Sequence, residues 1–187
     1  VAGYYQDQER QEICKECQSG TYITIEGSTE PCLTCLQGQR WFSTTESCKD
    51  CHNLHYMDEL ANKNTHCKPC EAGKRWESFT APCTSCTEGK IGSDPGNAAC
   101  TDCGPGEYTD EPAQTVCKLC LAGQYQGETG ISSCKPCAKN TFASSDGTTS
   151  CEPTAKGYEA LSEGLTTQTP CKRNRYNDEI GGKCKTC

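Results

Sequence analysis

Aromatic side chains recur along this chain about every 17 residues, with short polar stretches between them. Counted from the opening position of each repeat, which is a cysteine everywhere except at Thr154, the aromatic lies five residues on, or one residue to either side, and only Ile91 takes its place. The members are Tyr22, Trp41, Tyr56, Trp76, Tyr108, Tyr125, Phe142, Tyr158 and Tyr176. No segment keeps a helical periodicity over three turns, so the pattern predicts short strands and little or no helix.

Glycine or asparagine lies three residues after the opening position of every repeat except one, where Leu54 stands. Both residue types tolerate positive φ, so this position predicts a tight turn. Polar stretches such as Ser145-Asp-Gly-Thr then separate the aromatic from the next cysteine and predict hairpin turns. Each repeat is therefore expected to be a two-stranded hairpin whose aromatic covers a disulfide and supplies most of the apolar burial.

The cysteines form Cys-x-x-Cys motifs with one irregularity near the C-terminus. Cys151 and Cys171 stand alone, and the same spacing would place their lost partners at Thr154 and Gln168. Because these two positions belong to different motifs, their joint loss indicates that they were bonded to each other. The second cysteine of each motif is thus predicted to bond the first cysteine of the next.

This connectivity uses eighteen of the 20 cysteines in nine disulfides. The predicted bonds are Cys17–Cys32, Cys35–Cys48, Cys51–Cys67, Cys70–Cys83, Cys86–Cys100, Cys103–Cys117, Cys120–Cys134, Cys137–Cys151 and Cys171–Cys184. Cys14 and Cys187 remain over, and we expect their partners outside this segment. For Cys14 the repeat predicts a cysteine immediately before Val1.

Two other arrangements of the cysteines stay open at this point. Bonds within each Cys-x-x-Cys, with Cys151–Cys171, would also consume all the cysteines, but such small rings are typical of redox sites. Structural zinc matches the spacing of the motifs, yet zinc needs both cysteines of a motif, whereas the losses split two motifs. The alternating connectivity is favoured.

The fold class predicted is small and disulfide-rich: an elongated rod of tandem disulfide-closed β-hairpins. The two residues inside each Cys-x-x-Cys would link successive units, which would stack end to end with contacts between neighbours only. The whole chain, 1–187, is expected to be one array from a longer protein. Its repeats are 1–16, 17–34, 35–50, 51–69, 70–85, 86–102, 103–119, 120–136, 137–153, 154–170 (without its disulfide) and 171–187.

Composition supports stabilisation by disulfides rather than by an apolar core. Hydrophobic residues make up 33% of the 187 residues, and cysteine exceeds the level typical of disulfide scaffolds. Disulfides persist in oxidising compartments, so we expect an extracellular or cell-surface location. No stretch is apolar enough to span a membrane, and the net charge of −7 argues against nucleic-acid binding. Residues 1–60 carry ten acids and four bases, whereas residues 171–187 carry five bases and two acids. Two interpretations of this asymmetry stay open: a head-to-tail electrostatic preference between chains, or a simply solvated surface, which is favoured.

The repeat resembles the ephrin-receptor-like cysteine-rich repeat. The resemblance rests on Cys-x-x-Gly-x-Tyr, a polar turn and Cys-x-x-Cys, as in residues 120–137, and it covers almost the whole chain. The repeat is similar in style to the cysteine-rich modules of tumour-necrosis-factor and growth-factor receptors. The resemblance implies an extracellular stalk or binding module without enzymatic activity.

Three features are candidates for a more specific role. The cluster His52, His55 and His66 could hold a metal or sense pH, although structural or exposed histidines are favoured. Trp41 and Trp76 fall in the aromatic register and are expected to pack over a disulfide. Phe42 and Phe79 lie outside that register and are therefore the candidates for contact with a protein.

The loop 154–168 lacks its disulfide and is expected to be the most mobile stretch, a hinge or a protease-sensitive site. The alternative is that Leu161 and Leu165 pack locally in place of the bond.

Catalytic motifs are not found in the sequence, so we expect no enzyme, cofactor or metal. Two functions remain. The favoured one is a stiff extracellular rod that spaces or assembles a surface or matrix fibre, with copies of itself or other repeats as protein partners. The alternative is the ligand-binding ectodomain of a receptor.

Overall fold

Every repeat of the chain forms one small antiparallel hairpin. In the computed structural model, which describes residues 1–187, the chain has 22 strands of two residues each and no helix. The first strands of the hairpins are Tyr4–Tyr5 (β1), Thr21–Tyr22 (β3), Gln39–Arg40 (β5), His55–Tyr56 (β7), Lys74–Arg75 (β9), Lys90–Ile91 (β11), Glu107–Tyr108 (β13), Gln124–Tyr125 (β15), Thr141–Phe142 (β17), Tyr158–Glu159 (β19) and Arg175–Tyr176 (β21). The second strands are Lys15–Glu16 (β2), Leu33–Thr34 (β4), Lys49–Asp50 (β6), Lys68–Pro69 (β8), Thr84–Ser85 (β10), Thr101–Asp102 (β12), Lys118–Leu119 (β14), Lys135–Pro136 (β16), Glu152–Pro153 (β18), Thr169–Pro170 (β20) and Lys185–Thr186 (β22). We number the hairpins 1 to 11 in chain order, so that β1 and β2 form hairpin 1.

The second strand of each hairpin consists of the two residues inside a Cys-x-x-Cys motif. In hairpin 8, Gln124 pairs with Pro136 and Tyr125 with Lys135, and the other hairpins with a described register repeat this arrangement. The two residues predicted to link successive units therefore also form the second strand of each hairpin. They must be extended to reach the first strand, and this fixes the direction in which the next hairpin begins.

Nine disulfides close nine of the hairpins, with Cα–Cα distances of 5.6 to 5.8 Å. They join the same cysteine pairs as the alternating connectivity, from Cys17–Cys32 to Cys171–Cys184. Cys14 and Cys187 are free and exposed. A disulfide that closes a loop of this length stabilises a chain by about 3 kcal/mol in the chain-entropy description, which accounts for a fold with so little apolar core.

The buried centre of most hairpins is built from two positions. The first is its opening cysteine, such as Cys103 or Cys120, both 0% exposed. The second is the residue six positions further on, here called the core position, as in Thr109 and Gln126, at 0% and 1%. The strand aromatics are half-buried or, like Tyr176, exposed. The expectation that they supply most of the burial is wrong, because in most hairpins a different residue occupies the core position, although Trp41 and Trp76 occupy it themselves.

Neighbouring hairpins are joined by backbone hydrogen bonds that repeat from one junction to the next. Between hairpins 8 and 9, the turn residue Gly123 donates its N–H to Ala143 O at 2.8 Å. The core residue Gln126 donates to Thr148 O at 3.2 Å, and Gly147 donates back to Cys120 O at 2.8 Å. Because these are main-chain groups, the junction tolerates wide variation in side chains.

Some hairpins also contact the hairpin two places further along the chain. The turn glycine of hairpin 7, Gly106, has φ +82° and lies so close to hairpin 9 that a Cβ there would overlap the Gly147 carbonyl. Gly123 stands in the same relation to Gly164. Glycine is thus required at this turn for its φ and for the close approach. The expectation of contacts between neighbours only is wrong.

The chain divides into two compact units. One comprises Val1–Thr84 with Asp94–Ala99, and the other Ser85–Ser93 with Cys100–Cys187. In both, the turn-to-core hydrogen bond recurs, as from Gly38 to Met57 O at 2.8 Å in the first unit. The structure contains no helix with the length and apolar character that a bilayer crossing requires.

Candidate interaction surfaces

The three histidines of the sequence cluster come together in hairpin 4. His52, His55 and His66 line one shallow pocket of about 320 Å³ with Arg40 and Asp50. Nowhere in the structure do three or more histidine, cysteine or acidic side chains converge to hold a metal ion. The pocket therefore gathers the imidazoles without forming a ligand set.

The backbone beneath this pocket has positive φ at two residues, although neither of them is glycine. Asn53 and Leu54 have φ of 55° and 61°, so Leu54 adopts the positive φ that the turn position demands. The Nδ1 of His55 lies 2.7 Å from Asn53 O and donates to it. The histidine at this place helps to hold an otherwise strained turn.

Phe42 remains accessible in hairpin 3. Its side chain is 45% exposed, with the Arg40 guanidinium and the Lys49 ammonium each 5.7 Å from the ring centroid. Cations over an aromatic face attract its negative quadrupole and orient the ring. The predicted contact residue is thus an exposed aromatic flanked by positive charge.

Phe79 packs on a neighbour of the same hairpin and stays partly open. Its ring lies 4.9 Å from that of Trp76 in an edge arrangement, and the residue is 42% exposed. Trp76 occupies the core position, and its Nε1 donates to His55 O at 3.4 Å. Trp41 does the same to Thr21 O at 3.1 Å. The tryptophans therefore act in the junctions between hairpins, whereas the phenylalanines face outward.

Hairpin 10 folds in the common register although it has no disulfide. Thr154 occupies the opening position at 0% exposure, and its N–H donates to Asn140 O at 2.9 Å, as the opening cysteines do elsewhere. Gln168 replaces the closing cysteine, and its Oε1 accepts the Ala155 N–H at 2.6 Å. Leu161 is 65% exposed, so local packing of this leucine in place of the bond is wrong. Hydrogen bonds hold the two positions together where other hairpins use sulfur.

A buried carboxylate adds a second attachment for hairpin 10. Glu159 is 3% exposed and accepts the Cys184 N–H of hairpin 11 at 3.0 Å. Arg175 lies 3.7 Å from the same carboxylate and donates to Cys184 O at 2.5 Å. A buried charge is tolerated only when it is paired and hydrogen-bonded, so this cluster ties the hairpin without a disulfide to its successor. Sequence reasoning missed Glu159; its only sequence signal is that it stands where other repeats have the aromatic.

Four hairpins share the same internal ion pair. A lysine just after the closing cysteine contacts an aspartate two residues after the strand aromatic, at 2.6 to 3.2 Å. The pairs are Lys15–Asp7, Lys68–Asp58, Lys118–Asp110 and Lys185–Asp178. The hydrogen bond from the lysine lowers the pKa of each aspartate and raises that of each lysine. These pairs fasten the two strands of a hairpin to each other.

The family comparison matches the middle of the chain. Residues 113–153 match the family model described as tyrosine-protein kinase ephrin type A/B receptor-like. A search of curated proteins gave no significant match. The matched range contains hairpins 8 and 9, whose register and disulfides are those of the other closed hairpins.

This match agrees with the location that the cysteines indicate. The family is a receptor-like cysteine-rich repeat and not a catalytic fold, and nine disulfides indicate a secreted or surface protein. Residues 113–153 are therefore similar to an ephrin-receptor-like cysteine-rich repeat, and they lie in an array of hairpins of the same architecture.

Proposed function

We propose that this chain is a stiff structural segment that spaces or assembles an extracellular surface or matrix fibre. The observation that carries the proposal is the repeated set of main-chain hydrogen bonds at each junction, such as Gly123 to Ala143 and Gly147 to Cys120. Main-chain bonds between neighbouring hairpins resist bending, and close contacts with the second hairpin onward, as at Gly106 and Gly123, add a further restraint. A spacer needs this resistance along its whole length.

Small-angle X-ray scattering of the oxidised chain in solution tests the mechanical part of this proposal. A compact globular protein of 187 residues has a radius of gyration of about 16 Å. A stiff spacer is expected to exceed this value at least twofold, with a linear cross-section region in the scattering curve. A radius near the globular value would contradict the proposal.

Location is tested separately on intact cells of the source organism. Antibodies raised against the oxidised chain should label the outer surface or the matrix without permeabilisation. Labelling confined to permeabilised cells would remove the fibre role, whatever the stiffness of the purified chain.

A receptor ectodomain is the second candidate, and one observation favours it. Phe42 and Phe79 expose 45% and 42% of their surface although large aromatics are scarce in this chain. Exposed aromatics are the side chains that most often dominate protein–protein binding energy. In this case a photo-crosslinking residue at position 42 should capture one extracellular protein, and F42A/F79A should abolish binding of that protein.

The matched control for this second candidate is Leu121→Ala, which removes an apolar side chain that is 63% exposed in hairpin 8. Equal loss of binding in L121A and in F42A/F79A would argue against a specific site at the phenylalanines.

A further inference from the structure

Some exposed charges that have no ion-pair partner recur at fixed places of the repeat in consecutive hairpins. Three cations lie two residues after the opening position of consecutive hairpins: Lys139, Lys156 and Arg173. All three are exposed and none forms an ion pair within 4 Å. Hairpins 1 to 8 have no cation at this place, so the basic ladder is confined to hairpins 9 to 11.

Acidic side chains form a corresponding ladder in hairpins 1 and 2. Glu9 and Glu26 each lie four residues after a strand aromatic, in the loop that joins the two strands. Glu12 and Glu30 each lie two residues before the closing position. All four are exposed, and none is among the ion-paired carboxylates. Residues 1–34 carry six acids and two bases.

Within the chain, one residue at the loop place of the acidic ladder contacts a residue at the place of the basic ladder. Asp146 occupies the loop place of Glu9 and Glu26, and its Oδ1 accepts the N–H of Ala122 at 2.8 Å. Ala122 stands two residues after an opening cysteine, which is the place of the basic ladder. A loop carboxylate can therefore reach this part of another hairpin without a clash. Glu163 stands at the same loop place of hairpin 10, and it forms no ion pair within the chain.

We propose that the basic ladder of one copy binds the acidic ladder of a second copy. This inference rests on the proposed function, since it names the contact by which the segments assemble. The contact joins two different surfaces, so it is heterologous and leaves one ladder free on each copy of a pair. Heterologous contacts extend into open chains unless their rotation closes a ring, which suits a fibre. The chain supplies both complementary charges, which favours a second copy over an unrelated polyanion.

Salt dependence and charge reversal test the contact. Sedimentation velocity of the full oxidised chain, over a concentration series, should show association at about 20 mM salt that is lost at about 500 mM, where the Debye length falls from roughly 20 Å to about 4 Å. K139E/K156E/R173E should weaken association at least tenfold. The acidic reversal E9K/E12K/E26K/E30K should do the same.

The decisive arm mixes the two reversed variants. Each has lost one ladder but keeps the other, so the mixture should form mixed complexes at low salt although neither variant associates alone. The matched control K63E/K135E/K183E changes three exposed cations outside the ladder and lowers the net charge by the same amount. It should weaken association far less than the ladder reversal. Circular dichroism and non-reducing peptide maps identical to wild type establish that each variant is folded.

Three results would overturn the inference. These are a monomeric wild-type chain at low salt and high concentration, equal effects of ladder and control reversals, and failure of the mixture to associate. A monomeric chain whose ladder binds heparin, and loses heparin in K139E/K156E/R173E, would assign the ladder to a sulfated polysaccharide instead. In each of these cases the scattering and labelling results for the proposed function would stand unaffected.

Discussion

Restoring the missing disulfide of hairpin 10 should stabilise that hairpin. The change is the double substitution T154C/Q168C. β19 and β20 pair as the strands of closed hairpins do, with Tyr158 opposite Pro170 as Gln124 is opposite Pro136. The two replaced positions are therefore expected to have the Cα separation of 5.6 to 5.8 Å found in the nine disulfides.

The magnitude follows from a gain and a loss. Closing a loop of about 15 residues contributes about 3 kcal/mol in the chain-entropy description. The substitution removes the hydrogen bond between Ala155 N–H and Gln168 Oε1, which contributes about 1 kcal/mol. The net gain of about 2 kcal/mol corresponds to roughly 30-fold in an equilibrium constant.

Native-state hydrogen exchange is the appropriate assay because a repeat array opens locally rather than all at once. Amides bonded within hairpin 10, such as that of Tyr158, which donates to Ala155 O, should exchange about 30-fold more slowly in the oxidised double variant. Amides of hairpin 8 serve as the internal control and should not change. The matched control variant T154A/Q168A should exchange faster than wild type.

The reasoning would be refuted by two outcomes. One is that the new cysteines fail to bond each other in a peptide map while the nine other disulfides stay intact. The other is that the bond forms and exchange in hairpin 10 is unchanged or faster, because this would show that closure does not limit the stability of that hairpin.

Four further predictions concern the disulfides, the turns and the charges. Non-reduced peptide mapping should find Cys120 linked to Cys134. A bond between the two cysteines of one Cys-x-x-Cys motif would contradict the alternating connectivity. Gly106→Ala should destabilise its hairpin by more than the about 1–2 kcal/mol that a left-handed residue costs by itself. Gly157→Ala has the same φ of +82° but open space around it, so it should destabilise its hairpin by that amount only. Hydrogen exchange measures both changes. Glu159→Ala should destabilise hairpin 10 by about 2–3 kcal/mol, since the Cys184 N–H and Arg175 lose a charged acceptor, and equal exchange rates in the variant and wild type would contradict this. The pKa of each lysine-paired aspartate is lowered in the folded chain, so the stabilisation from these pairs is present above the ordinary aspartate pKa near 3.8 and should disappear as the pH falls below it. The unfolding temperature should therefore be lower at pH 2 than at pH 6, and high salt should reduce this difference.

The hairpin repeat could be predicted from the sequence because its determinants are local. A positive-φ residue, a strand aromatic and two cysteines about 14 residues apart specify one hairpin without reference to any other part of the chain. The joint loss of cysteine at Thr154 and Gln168 also pointed to two facing positions, since Gln168 accepts a hydrogen bond from Ala155, the residue next to Thr154. The family resemblance likewise followed from spacing, and the match over residues 113–153 agrees with it.

Two of the errors, on the buried core and on contacts between neighbours only, concern relations between hairpins. The core position, as in Gln126 or Thr109, has no characteristic residue type, so nothing in the sequence marks it as buried. Its burial comes from the next hairpin, whose carbonyl accepts its N–H. The contact of Gly106 with Gly147, 41 residues away, depends in the same way on how three hairpins follow one another.

The sequence by itself thus determined the unit: a disulfide-closed hairpin, repeated, in an oxidising location. Its determinants lie within one loop, and a covalent bond enforces them. Only the tertiary structure decided how the units join, because the joining groups are main-chain N–H and C=O groups that every residue carries alike. Their partners are set by the direction in which each Cys-x-x-Cys strand leads into the next turn. The same arrangement of hairpins places the Asp146 carboxylate within hydrogen-bonding distance of the Ala122 N–H.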